Sequence, residues 1–158
     1  MIKNPLAMNP EPGLAEPAET MSVHSEANIP VWTESMPEAQ QRAANEGKLI
    51  MALFTGSDWC TYCKKLERDV FSEPEFQNWA SQNVVALKLD YPKLSRQSPA
   101  VAQQNKALLS QYGTEVRGYP TILFLDANGQ IVDRMTNNAR ANAWVEQANS
   151  KVARVTIR

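Results

Sequence analysis

The chain has two cysteines, Cys60 and Cys63, both in the stretch GSDWCTYCKKLE at residues 56–67. With two residues between them, the sulfurs can meet across one turn of backbone. Three chemistries fit such a pair: a structural staple, half of a metal site, or a dithiol that exchanges with disulfides. The staple is weakest on physical grounds, because a cross-link closing so short a loop restricts the unfolded chain little. A chain of 158 residues, 43% of them hydrophobic, also builds an ordinary core without bridges. A structural zinc site takes four protein ligands, and the one histidine, His24, is far from the pair in sequence.

An exchange dithiol needs one reactive thiolate and a second thiol within reach of it. The elements around the motif supply both. KLIMALFTG is a continuous apolar run ending in glycine, the pattern of a strand buried on both faces. CKKLERDVF then carries Leu66, Val70 and Phe71 as a helical stripe. A strand that stops before Asp58 and Trp59, and a helix that starts at Cys60, set that sulfur among the unpaired N–H groups of a helix N-terminus. Such a setting can lower a cysteine pKa from about 8.5 to roughly 3.5–7.5. Cys60 is therefore expected to attack a disulfide. Cys63, one turn on and less exposed, resolves the mixed disulfide that results. Asp58 is read as a turn residue rather than as a charge repelling the thiolate.

The rest of the chain must position this centre. Residues 1–29 hold four prolines, several glutamates and few bulky apolar groups, so they are expected to form a flexible leader or tether rather than part of a core. Their composition is that of a spacer following a removed leader or lipid anchor; no continuous apolar signal region is recognisable. Residues 30–158 are expected to form one domain. PEAQQRAANEG reads as a helix with a proline start and a glycine stop. SEPEFQNWASQN is helical with Phe76, Trp79 and Ala80 on one side, and VVALKLD is a second apolar strand. After a polar connection, YPKLSRQS, comes an amphipathic helix with Val101, Asn105, Leu108, Leu109 and Tyr112 in register. TILFLDANGQIVDRM reads as two strands joined at Asn128-Gly129. A last helix carries Trp144, Ala148 and Val152. Alternating strands and helices that end in a hairpin imply an α/β fold, a mixed sheet covered on both faces.

WCTYC after a buried strand and GYPT before the terminal hairpin together resemble the thioredoxin superfamily over residues 31–152. The resemblance implies a thioredoxin-like fold with a central mixed β-sheet flanked by helices. It also implies a cis peptide at Pro120 beside the reactive pair, and a substrate surface around Trp59, Tyr62, Tyr119 and Pro120. Hydrophobic packing is the alternative role for the aromatic residues, and an ordinary turn for Pro120. Within the superfamily, SDWCTYCKKLERDVFSEPEF and the polar insertion are similar to periplasmic reductases, the C-terminal domain of DsbD interchange proteins and the soluble DsbH-type oxidoreductases. Thioredoxin itself has a buried aspartate six residues before the first cysteine. Here that position is Phe54, and the lysine accompanying that aspartate aligns with Ala86. Glu67, two turns beyond Cys60, matches an acidic residue of the interchange-protein domain and is the candidate to tune the thiol pKa values; a solvated glutamate paired with Lys64 is the alternative. Arg117, in a stretch similar to protein disulfide isomerase domains, is the second candidate modulator, with surface solvation as its alternative.

These readings point to a thiol:disulfide oxidoreductase favouring disulfide reduction. Isomerisation or oxidation is the alternative direction, and a redox-inactive or metal-binding thioredoxin-fold module is the alternative from another class. No cofactor is required, since electrons arrive as thiols and leave as disulfides. The expected partners are disulfide-containing proteins and, outside the cytosol, a membrane thiol donor that re-reduces the pair. The resemblance implies a periplasmic or otherwise extracytoplasmic location, with a cytoplasmic one as the alternative. The net charge of −1, with no basic stripe, argues against nucleic acid. No second interface is signalled, so a monomer is expected.

Overall fold

Ser35 starts the first helix, α1 (Met36–Glu46), by accepting a hydrogen bond from the Glu38 N–H; Pro37 sits in the first turn, where no donor is needed. Gly47 ends the helix at φ 65°, a left-handed conformation that costs glycine nothing. The protein is described here from a computed structural model covering residues 29–135 and 139–156. The tether expected over residues 1–29 therefore lies outside the described residues, apart from Ile29.

Four strands, β1 (Leu49–Thr55), β2 (Val84–Asp90), β3 (Thr121–Leu125) and β4 (Ile131–Met135), form one mixed sheet in the order β2-β1-β3-β4. β1 is parallel to β2 and antiparallel to β3, and β3 is antiparallel to β4. A parallel pair needs a crossover. α2 (Thr61–Leu66), a π-helical turn (Glu67–Phe71) and α3 (Pro74–Asn83) provide it. α4 (Pro99–Tyr112) follows β2, and α5 (Ala141–Thr156) ends the described chain. β3 and β4 meet through the expected turn, where Gly129 has φ 86° and the Asp126 carboxylate accepts from the N–H groups of Asn128 and Gln130.

Alternation along the strands splits the core into two layers. Met51, Leu53, Val84, Ala86, Ile122 and Phe124 face the α2–α3 crossover and α5, where they pack with Phe71, Phe76, Trp79 and Trp144. Ile50, Ala52, Phe54, Val85, Leu87, Leu89 and Leu123 face α1 and α4, with Met36, Ala39, Leu108 and Tyr112. Both faces of the sheet are thus covered, as the unbroken apolar runs require.

Two details differ from the sequence reading. The helix expected over residues 60–71 changes pitch at Glu67: the Ser72 N–H bonds the Glu67 carbonyl five residues back at 3.0 Å. The wider turn buries the adjacent Val70 and Phe71 together. Thr33 also bridges to the outer edge of β2, donating to Ala86 O at 2.9 Å and accepting from the Lys88 N–H at 2.8 Å. A one-residue bridge has no periodicity to read.

Candidate active site

β1 delivers the chain to Gly56, and a tight turn over residues 57–59 lifts the cysteines to the start of α2, with the Cys60 N–H bonding Gly56 O at 2.9 Å. Glycine is needed here because a Cβ would lie 2.3 Å from Trp59 Cε2. Cys60 is the N-cap of α2, and its Sγ accepts from the Cys63 N–H at 3.1 Å. That bond becomes charge-assisted once Cys60 ionises. The Cys60 thiol also lies 3.6 Å from the Tyr119 carbonyl, and the Tyr119–Pro120 peptide is cis. Both cysteines are free thiols. The expected difference in exposure is absent: each is 5% exposed, with Cys60 beside the Tyr119 carbonyl and Cys63 against the Gly56 N–H at 3.5 Å.

Burial pushes the Cys63 thiol above its ordinary value of 9.0, and the neighbouring Cys60 adds to this; hydrogen bonds from Gly56 and Thr55 pull it partly back. Burial likewise raises the phenols of Tyr91, Tyr112 and Tyr119. All four groups hold their protons more tightly folded than unfolded, so the unfolded chain loses protons first as pH rises. Stability of the reduced protein should therefore be full below about pH 9 and fall as pH climbs toward the raised values. Thermal melts of the reduced protein at pH 8 and pH 10 check this; an unchanged midpoint would contradict it.

Of the expected substrate-surface residues, three converge on Cys60. Trp59 packs edge-on against Tyr119 at 5.6 Å, and Pro120 follows Tyr119 through the cis bond. Tyr62, between the cysteines, is 67% exposed. Arg117 is exposed, and among the described residues it makes no hydrogen bond to either thiol. Glu67 makes no ion pair with Lys64 among the described residues; instead it lines a cavity of about 370 Å³ shared with Thr55, Cys63 and Lys88.

Lys88 and Thr55 were missed by the sequence reading. Ala86, which aligns with the lysine of thioredoxin, is core, and two residues along β2, on the same face, Lys88 lines the cavity beside Cys63. Strand alternation in VVALKLD carried that signal. Phe54 packs on the α1–α4 side, stacked on Tyr91 at 6.3 Å, and the β1 side chains beside Cys63 are Leu53 and Thr55. Among the described residues no cluster of three or more His, Cys, Asp or Glu side chains could hold a metal ion.

A polar strap, residues 91–95, closes one side of the site. The Trp59 indole N–H donates to Tyr91 O at 2.8 Å, and Lys93 Nζ sits 4.0 Å over the Trp59 ring. Asp58 accepts from the N–H groups of Lys93, Leu94 and Ser95 at 3.0, 2.8 and 2.7 Å and from the Ser95 hydroxyl at 3.0 Å. These donors, the Lys93 N–H foremost, lower its pKa to about 2. Asp58 lies in the turn that the sequence reading assigned it, and its carboxylate also anchors the strap.

A paired dithiol at a helix N-cap beside a cis-proline loop, on a four-stranded mixed sheet, is the arrangement of a thioredoxin-like protein. The chain matches the thioredoxin-like domain over residues 36–149, and it belongs to that family. It is 34% identical over 102 residues to the disulfide bond reductase DsbH of Chlamydia pneumoniae, covering 65% of this chain and 60% of that protein. It is also 34% identical over 118 residues to the thiol:disulfide interchange protein DsbD of Haemophilus ducreyi, covering 73% of this chain and 19% of DsbD. The solved structure of a DsbH oxidoreductase superposes with a TM-score of 0.73 at 30% identity, covering 79% of this chain and 85% of that one. The chain thus spans less than two thirds of the length of these two curated relatives.

Proposed function

We propose that this chain is a thiol:disulfide oxidoreductase that reduces disulfides in polypeptide substrates outside the cytosol. The observation that carries the reading is the Cys60 sulfur, held at a helix N-cap by the Cys63 N–H and facing the Tyr119 carbonyl before the cis-proline. Cys60, as thiolate, attacks one sulfur of a substrate disulfide. The substrate S–S bond breaks, a Cys60–substrate disulfide forms, and the departing sulfur takes up a proton. Cys63 then gives up its proton and attacks Cys60 Sγ, releasing the second substrate thiol and leaving a Cys60–Cys63 disulfide. Two electrons have passed to the substrate, and a dithiol donor, membrane-borne in an extracytoplasmic setting, restores them.

The direction of net flow is assigned from the reductase and interchange names of the two relatives. The resemblance of SDWCTYCKKLERDVFSEPEF to periplasmic reductases supports the setting outside the cytosol. No helix among the described residues is long and apolar enough to cross a membrane. Trp59, Tyr62, Tyr119 and Pro120 are assigned to substrate binding. The test is catalysed reduction of a protein disulfide with dithiothreitol as the electron source: turnover dependent on Cys60 supports the reading, and a rate equal to dithiothreitol alone overturns it.

Cys63 must lose a proton that burial makes it hold tightly, so the resolving step needs an acceptor. Glu67 shares the cavity with Cys63 and is assigned that part; no such part is given to the exposed Arg117. Glu67→Gln should slow release of the second substrate thiol by about 10²-fold while leaving the first attack unchanged. Stopped-flow measurement of the two phases, with titration of Cys63, checks this. An unchanged second phase and an unchanged titration would remove Glu67 from the mechanism.

A further inference from the structure

All four hydrogen bonds that the Asp58 carboxylate accepts come from one short segment. One carboxylate oxygen takes the Lys93 N–H; the other takes the N–H groups of Leu94 and Ser95 and the Ser95 hydroxyl. Its chain neighbours are committed to the same region. The Ser57 N–H bonds the Asp90 carboxylate at 2.9 Å, and the Trp59 indole bonds Tyr91 O. Lys93 in turn covers the Trp59 ring, Trp59 packs on Tyr119, and the Tyr119 carbonyl faces Cys60. A continuous path of contacts therefore runs from the strap to the attacking sulfur.

We propose that Asp58 is a positioning residue for protein substrates: it pins residues 91–95 as a rigid wall of the substrate surface beside Cys60. What the wall presents fits this role. Leu94 is 80% exposed, a large apolar side chain that the fold itself does not use, and Tyr62 is 67% exposed between the cysteines. Exposed side chains of this kind can grip the polypeptide flanking a disulfide, whereas a small disulfide needs only the sulfur. The low pKa of Asp58 keeps the anchor ionised at every working pH.

Asparagine is nearly the same shape but turns one acceptor into a donor facing N–H groups, so Asp58→Asn should free the strap without emptying space. Given the reductase reading, on which this rests, KM for a protein disulfide such as insulin should rise between about tenfold and a hundredfold in Asp58→Asn, with kcat little changed. Single-turnover reduction of dithiobisnitrobenzoate, a small aromatic disulfide, should stay at or above the native rate. Leu94→Ser, which alters only an exposed side chain, should raise the same KM at least about threefold at unchanged melting temperature.

If Asp58 instead acted on the thiolate by charge alone, both substrates would speed up together in Asp58→Asn. If it only supported the fold, the melting temperature would drop with KM unmoved. Either result, or an unaltered KM in Leu94→Ser, overturns the proposal. A native chain that reduces neither disulfide would instead refute the reductase reading.

Discussion

Cys63→Ala should turn the protein from a catalyst into a trap. Turnover falls to the uncatalysed background, while a stable Cys60–substrate disulfide accumulates to one equivalent. Cys60→Ser should show the same loss of turnover and no adduct. The asymmetry follows from the site. Cys60 faces the Tyr119–Pro120 loop, the proposed substrate surface, and Cys63 sits behind it, bordering the cavity with Glu67 and Lys88. The two sulfurs are equally buried, so the asymmetry rests on position: the sulfur beside the cis-proline loop is the one expected to make the first bond to an outside disulfide. Cys63 closes the cycle from one turn along the helix, where its own N–H already touches Cys60 Sγ. Non-reducing electrophoresis and mass spectrometry of each variant after mixing with an oxidised substrate check this. An adduct on Cys63 in Cys60→Ser at a comparable rate would reverse the assignment.

Trp144→Ala should be the most damaging change away from the cysteines. Trp144 is fully buried and meets Phe71, Phe76 and Trp79 at centroid distances of 5.9, 5.4 and 6.0 Å, all close to edge-on. It ties α5 to the π-helical turn and α3, the crossover that carries the cysteine helix. Truncating a buried tryptophan costs about 3–5 kcal/mol through lost transfer energy and the cavity left behind. Set against a typical domain stability of about 5–15 kcal/mol, that is a large fraction of the total. Urea unfolding should show a much lower midpoint with an unchanged slope; a loss under about 1 kcal/mol would mean that the aromatic cluster repacks around the gap.

What the sequence made legible was what depends on near neighbours along the chain. The Pro37 start and Gly47 stop of α1, the Asn128-Gly129 turn and the Trp144–Ala148–Val152 stripe were all readable, because caps, turns and helical periods act over a few residues. The dithiol was readable for the same reason. Contacts across the fold were not. Asp58 reads as a turn residue until the strap 35 residues later is folded against it. Lys88 looks like an interruption of an apolar strand until the register with Leu53 brings it to the cavity beside Cys63. Phe54 could be counted as the sixth residue before Cys60, but not assigned to the sheet face that packs on α1 and α4. The π-helical turn at Glu67 also lacked a local signal; its wider turn buries Val70 and Phe71 side by side against the rest of the fold.

The direction of electron flow is the central claim, and the reduction potential of the Cys60–Cys63 couple tests it most directly. Equilibration against defined thiol buffers, read by the fraction of disulfide formed, gives the value. A reductase should give a strongly reducing couple near that of thioredoxin, about −270 mV. A value between about −180 and −120 mV, the range of disulfide isomerases and strong oxidants, would contradict it.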